Sequence, residues 1–262
     1  ARWLPDGKRL HLHHGPSDLI LYAEGARHSA YEAAVARFQT VIEEVTTELS
    51  ILKTAMHPLS VAPEGDIPRR MFHATGQYAD RGYITPMAAV AGAIADEILQ
   101  AMIKATPLQR AYVNNGGDIA FHLAPETTFK TLMSGIDGKA LGQVTISGGS
   151  DICGMATSGR HGCSLSLGIA DSVTVLAHSA AFADAAATVV ANNVDLKKHP
   201  SIHRRAANTI REDSDLGKMF VVTHCAHLSE SDKLLALNKG LSEAEILCQS
   251  GKIKGASLHL QG

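Results

Sequence analysis

An α+β fold, with short antiparallel strands accompanied by helices, is what the sequence predicts, and two observations predict it. Runs at Arg110–His122, Phe129–Ile136, Leu141–Ile146 and Ile152–Thr157 alternate with Asp-Gly, Gly-Gly and Ser-Gly signals, the rhythm of strands that reverse at each turn. Two longer segments instead repeat apolar residues at intervals of three and four, the spacing that gives a helix one buried face.

The elements follow in order. Leu10, Leu12, Leu19 and Leu21 flank Gly15-Pro16-Ser17-Asp18 and predict an opening hairpin, with HLHH at 11–14 a strand whose histidines face water. From Ser29 to about Lys53, Phe38, Val41, Ile42, Val45, Leu49 and Leu52 form an apolar stripe, with Glu43, Glu44 and Glu48 off it, and predict one amphipathic helix. His57–Gly82 is rich in Pro and Gly and reads as irregular. Thr85-Pro86 reads as a cap and a first-turn proline, opening a buried helix to about Lys104, with Asp96 and Glu97 either serving a polar network or reaching solvent. Val173–Leu176 is a strand and leads into a helix carrying Asp184. Beyond Asn193 the expectation is an amphipathic piece at Ile202–Arg211, a strand at Met219–Thr223, and helices around 229–238 and 242–249. No low-complexity linker divides the chain, so residues 1–262 are expected to form one domain.

Composition narrows the function. Hydrophobic residues at 45% and charged residues at 19% exclude a disordered chain or a coiled coil. A net charge of −2, from 24 basic and 26 acidic residues, gives no field for nucleic acid or an anionic membrane, and a small-molecule ligand is the expected partner. No run of about eighteen apolar residues is evident to span a bilayer. Cys153, Cys163, Cys225 and Cys248 form no CxxC, and no export signal is evident, so the expected location is the cytoplasm. Self-association into a homo-oligomer stays open.

Three groupings could carry chemistry. Asp184 and Thr188 lie four apart on one helix face, where a carboxylate and a hydroxyl can share a hard cation; an exposed acid favoured by the helix dipole is the plainer alternative. Asn114-Asn115-Gly116-Gly117-Asp118 either makes a hairpin turn or offers its backbone N–H groups to a phosphate or flat ring. Thr157-Ser158-Gly159 puts two hydroxyls at a strand end. His199 with His203, and His224 with His227, lack the further ligands of a metal motif, and no GxSxG elbow is present.

In this order the pieces resemble the ApbE family, the magnesium-dependent FAD:protein FMN transferases, and more closely its cytoplasmic branch than its exported lipoproteins. Pro86–Leu99 is similar to the family's central helix, Val113–Ile119 to its N-x-GGD turn, Ala156–Gly159 to its ATSG strand end, and Ser172–Thr188 to its SVTV strand followed by A-D-A-x-A-T. The resemblance covers about residues 84–191 and leaves the extension 192–262 unmatched. It implies a T-fold-like architecture of antiparallel sheets backed by helices. It implies FAD binding by Asn114, Gly116, Gly117, Asp118, Thr157 and Ser158, magnesium held by Asp184 and Thr188, and stacking of Tyr78 or Tyr83 on the flavin. The implied activity is FAD cleavage or FMN transfer.

One departure limits that carry-over. The family's H-I-x-D-P-x-T-G stretch is replaced by Arg160–Asp171, RHGCSLSLGIAD, in which His161 is the positional candidate for the lost histidine. Two alternatives follow from the resemblance: an enzyme of sulfide assimilation and homocysteine formation on the same fold, with Cys153 or Cys163 carrying sulfur beside Arg160 and His161, or a flavin-binding protein without catalysis.

Overall fold

The computed structural model describes residues 1–135 and 138–262. Arg2–Trp3 (β1), Leu10–His14 (β2) and Ser17–Gly25 (β3) begin the chain. The opening hairpin forms as expected, with Leu10 opposite Leu21 and Leu12 opposite Leu19, all four buried. The predicted helix from Ser29 to Lys53 is three pieces, Arg27–Phe38 (α1), Val41–Thr47 (α2) and Leu49–Leu52 (α3). Arg37 fastens the first break, its guanidinium donating to Thr40 Oγ1 at 2.8 Å, Glu44 at 2.6 Å and Glu97 at 2.9 Å.

The segment read as irregular contains a helix, Asp66–Gly76 (α4). Its start carries no side-chain cap of its own. The carboxylates of Glu48 and Glu44 arrive from α2 and the residue after it, accepting from Glu64 N–H at 2.8 Å, Gly65 N–H at 2.6 Å and Ile67 N–H at 2.9 Å. A cap drawn from about twenty residues upstream leaves no local sequence signature.

Pro86–Ala89 is a 3-10 turn that runs into Val90–Ala105 (α5). Thr85 does not cap it; its hydroxyl donates to Asp215 Oδ2 at 2.5 Å instead. The span Pro86–Ala105 is long and apolar enough on average to cross a membrane, yet 56% of its most apolar window is buried within the protein, and it forms the buried helix expected from sequence. Leu108–Asn115 (β4), Asp118–Leu123 (β5), Thr128–Ser134 (β6), Ala140–Ser147 (β7), Gly154–Ser158 (β8) and Ser172–Ala177 (β9) follow. Ile136 and Asp137, which ended one predicted strand and opened its turn, lie outside the described residues.

Ala180–Asn193 (α6) comes next, then Ile202–Ala206 (β10), Phe220–Cys225 (β11), Glu230–Gln249 (α7) and Gly255–His259 (β12). The expected amphipathic piece at Ile202–Arg211 is β10 followed by a 3-10 turn. The two helices expected across 229–249 are one, because Gly240 is a close-approach residue and not a breaker: a Cβ there would stand 2.3 Å from Val194 Cγ2.

Eight strands form one antiparallel sheet in the order β1-β2-β3-β4-β5-β8-β9-β12, while β6-β7 and β10-β11 pair separately. This is the expected α+β architecture. One face of the sheet carries Leu19, Leu21, Val113, Ala120, Ala156, Val173 and Val175 against the helices. On the other face Ile119, Phe121 and Met155 pack under Phe129 and Ile146 of the β6-β7 hairpin. Two layers of burial on one sheet explain why its middle strands read as nearly continuous apolar runs.

Candidate functional site

The crossing of α5 and α6 is built from reciprocal caps. Asp96 on α5 accepts the first backbone N–H groups of α6, Ala180 at 3.0 Å and Ala181 at 2.9 Å. Asp184 on α6 in turn accepts Gly92 N–H at 3.0 Å, in the first turn of α5. Each helix thereby places an acid at the positive end of the other. The approach requires Gly92, where a Cβ would stand 2.3 Å from Ala180 O. Of the two acids left open by sequence, Asp96 serves this crossing and Glu97 accepts from Arg37 and Arg70.

The glycine turn closes at the same end of the sheet. Gly116 and Gly117 take φ of 64° and 113°, a conformation that suits glycine. Asn114 Oδ1 accepts Gly117 N–H at 2.8 Å and holds the turn in shape. Asn115, buried and not assigned a role from sequence, donates to Ala91 O at 3.1 Å and ties the turn to α5.

Here the sheet splits. β5 and β8 pair at Ile119–Met155 and Ala120–Gly154, and one step further the Asp118 side chain replaces the ladder, accepting Thr157 N–H at 3.1 Å. The GGD turn and the TSG strand end, 39 residues apart in sequence, are joined by that bond. Thr157 Oγ1 and Thr174 Oγ1 share a hydrogen bond of 2.9 Å on the face away from the helices.

Asp118 and Asp184 interact electrostatically across the helix side of the split. Burial pushes the Asp118 carboxyl up to about 7, against the pull of the Thr157 N–H. Burial raises Asp184 well above the ordinary carboxylate range, Asp118 adds to this, and the Gly92 N–H opposes it. Two half-buried carboxylates that repel each other favour a shared proton or a cation. Thr188 lies one turn beyond Asp184 on α6, partly exposed. Among the described residues no three His, Cys, Asp or Glu side chains converge on a metal. This donor set fits magnesium nonetheless, since that ion commonly takes one or two carboxylates and completes its shell with water and substrate phosphates.

Two clefts flank the turn on the face away from the helices. One, of about 370 Å³, is walled by Arg2, Leu4, His11, Asp18, Ile20, Asn114, Gly116 and Gly117. The other, of about 200 Å³ and lying against the β6-β7 hairpin, is lined by Asn114, Gly117, Ile119, Leu132, Met155, Thr157, Ser172 and Thr174 among others. Asn114 and Gly117 form the wall common to both.

The remaining candidates sit elsewhere. Tyr78 is fully buried, so the expected stacking on a ligand is excluded for it. Tyr83 donates its hydroxyl to Asp215 O at 2.7 Å. Arg160 and His161 both turn to Asp171, with Arg160 Nε at 2.9 Å and His161 Nε2 at 3.2 Å from Oδ1. Cys163 is exposed, and its carbonyl accepts from Arg211 at 3.3 Å. Burial, then Asp96 and Asp151, push the Cys153 thiol up, away from the thiolate that sulfur chemistry needs.

A family model described as AbpE bacteria matches residues 1–262, the whole chain. The chain belongs to this family. It is 38% identical over 155 residues to a UPF0280 protein of Methanococcus maripaludis strain C7, a match covering 55% of this chain and 60% of that one. With a UPF0280 protein of Archaeoglobus fulgidus the identity is 36% over 160 residues, covering 61% of this chain and 63% of the relative. The chain thus spans less than two thirds of the length of either relative. Among solved structures, the apo flavinyl transferase ApbE of Pseudomonas stutzeri aligns with a TM-score of 0.48 at 12% identity, over 73% of this chain and 86% of that one. The ApbE protein of Thermotoga maritima aligns at 0.47 and 12% identity, over 87% and 99%.

Proposed function

We propose that this protein binds a flavin dinucleotide across the Gly116-Gly117 turn and, with a divalent cation, cleaves FAD so that its FMN half is transferred to a hydroxyl. The observation that carries the reading is the meeting of Asp118, Thr157 and Asp184 at the split between β5 and β8. Family membership and the flavin transferases that the chain is similar to support the ligand class.

Each group has a task in this reading. The turn brings backbone close to the ligand without side-chain crowding, and Asn114 holds it rigid. Thr157 and Ser158 offer hydroxyls at the strand end. Asp184, Asp118 and Thr188 would hold magnesium, which would neutralise charge on the pyrophosphate when bound. Asp96, Gly92 and Asn115 position those ligands without reaching the substrate. The test is FAD titration with and without magnesium, with analysis for AMP. Magnesium-dependent AMP release lost in Asp184→Ala supports the reading, and FAD affinity indifferent to both magnesium and Asp184→Ala counts against it.

A further inference from the structure

Helix α7 carries apolar side chains on two sides. Its inner face is built from the small residues Ala236, Gly240 and Ala244, with Leu247, all buried against the body of the protein. Its outer side holds Leu234 at 59% exposure, Leu235 at 53%, Leu241 at 46% and Ile246 at 41%. These are four of the twelve exposed large apolar side chains among the described residues, gathered on one helix of 20 residues. A surface helix with one neighbour is polar on its outer side, and a helix that is apolar on both sides is built to be covered on both.

The outer residues are ordered. Leu234, Leu241 and Cys248 recur every seven residues, which sets them in one line along the helix, and Cys248 is exposed like the two leucines. The line is symmetric about Leu241. An antiparallel second copy therefore sets Leu241 against Leu241 and Leu234 against Cys248, each contact occurring twice, as a twofold interface requires.

The polar groups complement one another in the same arrangement. Asn238 and Glu245, both exposed, each follow a leucine of the line by four residues, and across the axis the amide of one comes beside the carboxylate of the other. Glu230 lies eleven residues before Leu241 and Lys252 eleven after it, so the acidic end of each helix faces a lysine of its partner. Lys233 Nζ is 2.8 Å from Glu230 Oε1 yet leaves the Glu230 side chain 87% exposed. Lys252 Nζ is held at the helix end by a bond of 2.7 Å to Gln77 O. Antiparallel packing also puts the positive end of each helix dipole beside the negative end of the other.

We propose, independently of the flavin reading, that this protein is a homodimer joined through the outer face of α7, with the two helices antiparallel about Leu241. The test uses the full chain. Light scattering after size exclusion, over about a hundredfold range of concentration, should give the mass of two chains. Leu234→Glu and Leu241→Glu, both at exposed positions, should weaken the dimer by about tenfold or more and leave the circular dichroism spectrum unchanged. Under mild oxidation, Leu234→Cys should form a covalent dimer with the partner's Cys248, and adding Cys248→Ser should abolish it. That cross-link decides the matter if either glutamate variant fails to fold. A chain that is monomeric at every concentration, or a dimer that Leu241→Glu leaves at wild-type strength, overturns the proposal. A cross-link that survives Cys248→Ser, as parallel helices would give from Leu234→Cys alone, overturns the antiparallel arrangement. An assembly of more than two chains removes the twofold closure and overturns it too.

Discussion

At the scale of the residue, Asp118 and Asp184 make the first prediction. Both are harder to ionise in the folded chain than the ordinary carboxyl value of 3.8, so folding retains protons that the unfolded chain releases. The stability tied to these groups is therefore full below about pH 4 and is lost as pH rises through about 7, where Asp118 titrates. Without divalent cations, the melting temperature should fall across that window, and Asp118→Asn should melt higher than wild type at pH 8 but not at pH 4. A flat melting profile for both proteins would contradict the pairing. Added magnesium should raise the wild-type melting temperature at pH 8 by mass action and leave Asp184→Asn unmoved. Asp184 and Thr188 were legible in the sequence because helical spacing fixes their shared face. Asp118 entered the reading as a turn residue and, through the resemblance, as an FAD-binding candidate, but not as the neighbour of Asp184, since the bond from Thr157 N–H to its carboxylate joins strands that no local pattern relates.

At the scale of the element, the crossing of α5 and α6 depends on Asp96. Asp96→Ala leaves two buried N–H groups unpaired, at about 1–3 kcal/mol each. Thermal unfolding should register a loss of roughly 4–24 °C, taking about 2–4 °C per kcal/mol for a chain of this size. Gly92→Ala should also destabilise, because its Cβ would meet the backbone of Ala180 rather than a movable side chain; a melting temperature equal to wild type would refute the close contact. Glu48→Ala should loosen α4 selectively, read as faster amide exchange at Glu64 and Gly65. These elements also show where sequence reading stops. The apolar stripe from Phe38 to Leu52 was visible, but the break fastened by Arg37 was not. Helix α4 was missed because Glu44 and Glu48 cap it from another part of the chain. Helix α7 was split in the reading because glycine inside a helix signals a break as readily as a close contact.

At the scale of the molecule, the turn of β4-β5, the end of β8, the start of β9 and the start of α5 gather at one end of the sheet. The clefts open on one face and the paired acids lie on the other. Between them, β5 and β8 pair at only two residue pairs, and the bond from Thr157 N–H to the Asp118 carboxylate continues their contact beyond that ladder. The strand rhythm and the central helix were legible because alternation and helical periodicity are local. The convergence at one end is a property of strand order, and it entered the reading only through the resemblance to ApbE. Equilibrium titration of the full chain with FAD, with and without magnesium and followed by analysis for AMP, tests the central claim most directly. The account predicts binding strengthened by magnesium, release of AMP, and loss of both effects in Asp184→Ala. FAD binding that is absent, or that is identical in all four combinations of protein and magnesium with no AMP released, would contradict it.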